Sequence, residues 1–310
     1  MTASSPALAS PDAGTCAQVS EAGAAAMLRR TRLAGYYEHK LALIDGRVFE
    51  WQGSRRPRLV LEGASHVAVG KSRGYAIDMQ QNALAWTLGS ARVEPEPLLD
   101  KVALLSAGDS GLLAIRCDGS LWQRRTGAGE WTRSADAAIH AWVGDGADYY
   151  IAPNGQVYAR GLAHRGQYGD GKLAQAPGWT AVAAQGGRVV GHTGHALYLR
   201  RDGAVLGTGG NIYGPLASHG HGDKAARWGV IFEGATAIAT GSRHSLALRP
   251  DGSLWIWGAQ EGLQPRQVMQ RVAEVAAGLE DTLAIDVDGR LWNWALGERP
   301  LRPVELPATR

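Results

Sequence analysis

The sequence predicts an all-β chain closed into a single seven-bladed β-propeller. Three observations carry this reading: a short motif copied seven times, a composition rich in Gly and Trp, and an orphan apolar segment at the C-terminus. The clearest copy runs from Ala239 to Gly258, ATGSRHSLALRPDGSLWIWG, and a second, AAGLEDTLAIDVDGRLWNWALG, begins at Ala276. Each has an anchor Gly and, ten positions later, a turn residue. Gly35 leads to Asp45, Gly70 to Gln80, Gly108 to Asp118, Gly144 to Asn154, Gly241 to Asp251 and Gly278 to Asp288. In the remaining copy Gly191 precedes Asp202 by eleven, while His195 keeps the register of His244. Successive turns lie 35 to 49 residues apart, and periods of this length mark repeat architectures, in which one supersecondary unit is stacked on its copies.

Each copy reads as short strands around a tight turn. Ser245–Leu248 and Ser253–Trp257 flank Asp251-Gly252, a hairpin signal because such turns need φ > 0, which Gly supplies freely and Asp tolerates. A third strand precedes the anchor, as at Ala235–Ala239 and Val272–Ala276. A fourth lies before that, as at Arg58–Leu61 ahead of the second copy. Four short strands per copy make one propeller blade. Small residues such as Ala239-Thr240-Gly241 and Ala276-Ala277-Gly278 suit the crowded axis. Leu254, Trp255, Trp257, Leu291, Trp292 and Trp294 suit the wider space further out, as packing residues rather than a sugar-binding platform. The 11 Trp against 2 Phe fit one copied motif, and the 42 Gly fit its many turns. A ring must close or leave a bare sheet edge. Leu301–Leu306 resembles Arg58–Leu61, so the sequence predicts that a C-terminal strand completes the first blade.

Residues 1–30 fall outside the repeat. They are Ala-, Ser-, Pro- and Gly-rich, and are expected to be a disordered tail with a short helix near Glu21–Arg30. The propeller takes residues 31–310. The tail lacks a basic n-region and a long apolar h-region, and no stretch reaches membrane-span length. The expected compartment is cytoplasmic, with an exported effector the alternative. With 32 basic and 29 acidic residues the net charge is +3, scattered without a basic stripe, which argues against nucleic acid as partner. Cys16 and Cys117 form no Cys-x-x-Cys signal and suggest no disulfide framework.

The unit Gly-x-x-His-Ser-Leu-Ala-Leu-x-x-Asp-Gly-x-Leu-Trp-x-Trp-Gly, carried by Gly241–Gly258, resembles the repeat of the regulator of chromosome condensation family. A further family segment resembles Gly166-Gln167-Tyr168-Gly169 and, altered, Gly210–Leu216. The resemblance spans about residues 31–306 and implies a bacterial-type seven-bladed propeller that grips another protein. Family members include an exchange factor for a small GTPase that also binds nucleosomes, ubiquitin-ligase subunits and secreted inhibitors of β-lactamase. The exchange factor works through a protruding hairpin, and this sequence has no evident equivalent.

No residue pattern demands catalysis. His192, His195, His219 and His221 could approach a metal, yet His195 occupies the repeat's own His position. Asp45, Asp118, Asp202, Asp251 and Asp288 are turn residues, and Gly207–Gly210 opens no helix as a phosphate loop would. No enzyme, cofactor or metal is therefore expected. The expected function is a monomeric protein-binding scaffold, a regulator or inhibitor of its partner. Nucleotide exchange on a small GTPase, or an axial-pocket enzyme or lectin, are the alternatives. Loops on a rigid scaffold carry specificity, so the residues just after each anchor Gly are the candidate binding ring. They are Tyr36, Tyr37, Glu38, Lys71, Arg73, Asp109, Asp145, His192, Arg243 and Glu280.

Overall fold

In the computed structural model, which describes Cys16 and residues 31–127, 129–217 and 222–307, seven small antiparallel sheets follow one another around an axis. The innermost strands are Leu33–Tyr36, Ala64–Val69, Val102–Gly108, His140–Val143, Gly186–Gly191, Ala237–Thr240 and Val272–Ala277. Each packs against the next, and the last packs against the first, so the ring is closed. Within a blade the strands pair in sequence order, so every neighbour is one antiparallel connection away.

The apolar residues sort into seven buried clusters, one at each interface between blades. Between blades six and seven lie Leu246, Leu254, Ile256, Val275 and Trp294. Between seven and one lie Leu283, Leu291, Leu33 and Trp51. Both faces of each sheet are thereby buried, which is why the strands read as continuous apolar runs. Trp257 is fully buried, and its Nε1 donates to Pro215 O at 2.7 Å. Trp255 and Trp292 are only half-buried and finish the turns. Asp251 Oδ1 accepts from the Ser253 backbone N–H (2.9 Å) and hydroxyl (2.6 Å), and Ser253 Oγ accepts from Trp255 Nε1 (3.0 Å). Blade three repeats this relay through Asp118, Ser120 and Trp122. The turn Asp is thus an acceptor. The positive φ falls on Gly252 and Gly119, and only Asp45 of these Asp residues shares it.

The anchor glycines answer to crowding. A Cβ on Gly35 would sit 2.7 Å from Ala277 O, and one on Gly241 would overlap the His244 ring. The repeat's His ties blades together. His195 Nε2 lies 3.1 Å from Ser245 Oγ in the next blade, and His244 Nε2 lies 3.4 Å from Thr282 Oγ1 in the blade after. Burial pushes both imidazoles down to about 3, so they are neutral.

Two expectations are corrected. The C-terminal segment does not complete the first blade, which has its own four strands ending in Arg58–Glu62. Instead Pro303 bridges Trp292, and Val304 N–H donates to Leu291 O at 2.7 Å, so the segment lies at the outer edge of blade seven. Leu301–Leu306 and Arg58–Leu61 are alike because each follows the third strand of its own blade. The seam to blade one is closed by side chains. Val304 and Leu306 pack into the shared cluster, Lys40 pairs with Asp281, and Arg32 pairs with Glu274 at 2.8 Å.

The second correction is a disulfide between Cys16 and Cys117, with a Cα–Cα separation of 4.9 Å. Their 101-residue spacing gave no sign that the turn bearing Cys117 would meet Cys16. The rest of the expected tail lies outside the described residues, as do His219 and His221. No helix among the described residues is long and apolar enough to cross a membrane.

Candidate functional site

In an antiparallel four-stranded blade, the turn between strands one and two and that between strands three and four emerge at the same end. The anchor Gly ends the innermost strand, so the residue after it comes out beside the axis. Seven such loops therefore surround the axial mouth.

At this mouth the candidates divide. Tyr36 from blade one and His192 from blade five face each other across the axis, ring centroids 6.2 Å apart, and Tyr37 lies 6.4 Å from His192. Tyr36 is 5% exposed and His192 7%, so these two are not the loosely held loop residues that the sequence suggested. The Thr193 backbone N–H donates to His192 Nδ1 at 2.9 Å, which places the ring proton on Nε2. That buried Nε2–H has no acceptor. Burial pushes the His192 imidazole down to about 4 and keeps it neutral.

Asp109 and Asp145, from blades three and four, stand beside this aromatic group. Burial first, and then the Asp109 charge, raise the Asp145 carboxyl above its ordinary range, while the Thr193 hydroxyl and Lys71 oppose the shift. Burial and Asp109 likewise push the Tyr36 hydroxyl up. That hydroxyl is turned toward Asp109 but lies outside ordinary hydrogen-bond geometry. Further round, Arg243 and Glu280 form an ion pair at 2.8 Å. Glu38 and Arg73 turn outward within their own blades. Glu38 accepts from Gln52 Nε2 at 3.2 Å, and Arg73 pairs with Glu96 at 2.8 Å. The structure thus gathers Tyr36, Tyr37, Lys71, Asp109, Asp145 and His192 at the axis, sets Arg243 and Glu280 beside them, and leaves Glu38 and Arg73 apart.

An axial cavity of about 70 Å³ lies between the innermost strands, with Tyr36, Asp145 and His192 at this end and Arg188, His66 and His140 deeper. Two wider grooves, of about 260 and 470 Å³, are lined by Lys71, Asp109 and Arg124, and by Tyr37, Glu280 and Asn293. No group of three His, Cys, Asp or Glu side chains among the described residues is placed to hold a metal.

The sequence reading missed the rim. The turns between strands three and four carry Leu162, Leu173, Ile212, Tyr213 and Leu263, all exposed. Arg243 spans the two circles, its guanidinium 4.5 Å from the Tyr213 ring centroid. A visible signal was the lengthening of the fourth and fifth copies by large apolar residues within Gly-rich turns.

Comparison with known proteins agrees with this architecture. Residues 235–261 match the model of the regulator of chromosome condensation (RCC1) repeat, so the chain carries that family's repeat where the sequence suggested it. Yeast RCC1 (Prp20), solved bound to Kap60, superposes with a TM-score of 0.69 at 16% identity over 83% of this chain and 78% of its own. Human WBSCR16 gives 0.70 at 17% identity over 83% and 87%. The ectodomain of the Arabidopsis thaliana receptor kinase ACR4 gives 0.56 at 14% identity over 89% and 98%. At these identities the likeness establishes a shared fold.

Proposed function

We propose that this protein is a protein-binding scaffold that presents one end of its ring, the end with the axial mouth, to its partner. The sidedness of the exposed apolar residues carries the reading. Of ten large hydrophobic residues exposed among the described residues, Tyr37, Leu162, Leu173, Ile212, Tyr213 and Leu263 lie in turns at that end. Only Met79 and Val287 lie in turns at the other, and Leu59 and Val230 are on outer strands. Clustered exposed apolar surface rimmed by polar groups marks interaction sites. Aromatic and Arg anchors such as Tyr37, Tyr213 and Arg243 are the types that dominate binding energy.

Two further points support it. Small-molecule sites enclose roughly 300–1,000 Å³, several times the axial cavity, which weighs against an axial-pocket enzyme or lectin. Among proteins of the same fold, Prp20 was crystallised bound to Kap60, and its binding to Gsp1p and histones has been characterised. The Cys16–Cys117 disulfide favours an oxidising compartment, and so the exported alternative over the cytoplasm.

The test is a set of rim and mouth substitutions. Tyr37→Ala, Ile212→Ser, Tyr213→Ala and Arg243→Ala should each weaken partner binding by about 1–3 kcal/mol with little change in melting temperature. A partner that binds the combined variant as tightly as the unmodified protein would rule this face out.

A further inference from the structure

The geometry points to the axial mouth as a socket for one cationic side chain, a lysine or arginine, of the bound protein. This rests on the protein-binding reading of the same face and adds what the centre of that face recognises.

Three observations converge. First, two carboxylates from different blades, Asp109 and Asp145, are set side by side at the mouth, and neither has a Lys, Arg or His cation within ion-pair distance among the described residues. Lys71 acts on Asp145 only through its more distant charge. The Arg243 cation is engaged by Glu280 at 2.8 Å, and the buried Lys40 by Asp281. Second, the walls are aromatic: Tyr36 and Tyr37 centroids are 5.0 Å apart, and both stand near the His192 ring. A cation over such faces is attracted by the ring quadrupoles, most strongly where water is excluded. Third, His192 Nε2–H and the Tyr36 hydroxyl are buried and unsatisfied at this mouth. A buried polar group left without a partner is costly, so two at one opening point to a group that arrives from outside.

The cavity decides the size of the guest. About 70 Å³ beneath the mouth accepts an ammonium or guanidinium head with its last methylenes, not a metabolite. The guest's charge meets Asp145 on the cavity wall, with Asp109 beside it at the lip, its stem lies against Tyr36 with Tyr37 outside it, and a carbonyl of the same residue can accept from His192 Nε2–H. Deeper entry is opposed by Arg188, which lines the lower part of the channel.

The carboxylate pair also predicts opposite effects on stability and binding. A carboxyl whose folded-state affinity for protons is raised favours the fold below the unfolded-state value, and that contribution is lost as pH rises through the folded-state value. Burial and the Asp109 charge both act against the ionised form of Asp145, and a cation at the mouth acts against that penalty. Asp145→Asn, which keeps an acceptor for the Thr193 hydroxyl, should leave Tm unchanged or higher while weakening cation binding roughly tenfold or more, the loss of one charge-assisted contact. A carboxylate that merely held the loop together would lose stability when replaced.

The experiment titrates the full chain at low salt with N-acetyl-lysinamide, N-acetyl-argininamide and the neutral N-acetyl-norleucinamide, following the His192 imidazole by NMR. The expected result is a saturable shift in the millimolar range for at least one charged probe. Norleucinamide should give none, and Asp145→Asn and Asp109→Asn should lose the response. Charged probes that leave His192 unmoved, a neutral probe that matches them, or an Asp145→Asn variant with undiminished affinity would each overturn the socket. Failure here is separable from failure of the face as a whole, because the rim substitutions read partner binding without these probes.

Discussion

The seam between the last and first blades sets the sharpest test of how this ring is held shut. Lys40 is 1% exposed, and its ammonium meets Asp281 of blade seven as well as the carbonyls of Glu38 (3.4 Å) and Gly53 (3.1 Å). Asp281 lies under burial that raises its carboxyl above the ordinary range, with Lys40 the main opposing influence. Lys40→Met keeps the stem's volume and removes the charge. It leaves the half-buried Asp281 carboxylate without its cation, so the loss should approach the ~3–5 kcal/mol that removing one partner of a fully buried pair costs.

The sign with pH follows from the same group. Without Lys40, Asp281 binds a proton more tightly in the folded than in the unfolded chain, so stability falls as pH rises through its folded-state value. The loss in Lys40→Met should therefore be largest at neutral pH and shrink toward about pH 5. Urea unfolding of the variant and the unmodified chain at both pH values measures it. Lys40→Met/Asp281→Asn should recover most of the loss, which isolates the pair. A Lys40→Met variant within about 1 kcal/mol of the unmodified protein at neutral pH, or a loss that grows on acidification, would refute the reasoning.

Other positions follow from the same geometry. Gly241→Ala should cost about 1–3 kcal/mol because its Cβ meets the His244 ring and Gly278 O, whereas Gly178→Ala has open space and should be near neutral; melting temperatures compare them. Ser253→Ala removes the acceptor of Trp255 Nε1 and a donor to Asp251, and should cost about 1 kcal/mol, read by chemical denaturation. Deleting residues 300–310 removes Val304 and Leu306 from the seam and uncovers the outer edge of blade seven. The truncated protein should unfold at lower urea and aggregate, and one as stable as the full chain would contradict that role for the segment.

Much of this fold was legible because its repeat is spelled by residues with single physical jobs. Gly241 and Gly278 mark places with no room for a side chain, Asp251-Gly252 marks a turn, and Leu254 and Trp257 mark an interface between blades. Phase was harder to read. Arg58–Leu61 lies between two copies, and spacing alone cannot say whether a strand pairs with the one before or the one after; the short antiparallel connection decides it. The meeting of Cys16 and Cys117 depends on tertiary placement that local pattern does not encode. At the candidate site, the circle of loops followed from the anchor position. Whether a loop side chain turns to the axis, as at Asp145, or outward, as at Arg73, depends on partners such as Glu96 in distant parts of the blade. The apolar rim at Ile212 and Tyr213 lay outside the repeat's aligned core, where position carries no expectation.

The most direct test of the central claim is site-specific photocrosslinking of the partner complex. A benzophenone side chain would be placed in turn at Tyr37 and Ile212 on the mouth end, at Met79 and Val287 on the opposite end, and at Leu59 on the outer wall. The account predicts crosslinks to the same partner from Tyr37 and Ile212 alone. Crosslinks from Met79 or Val287, with none from Tyr37 and Ile212, would place the interface on the other end of the ring and contradict it.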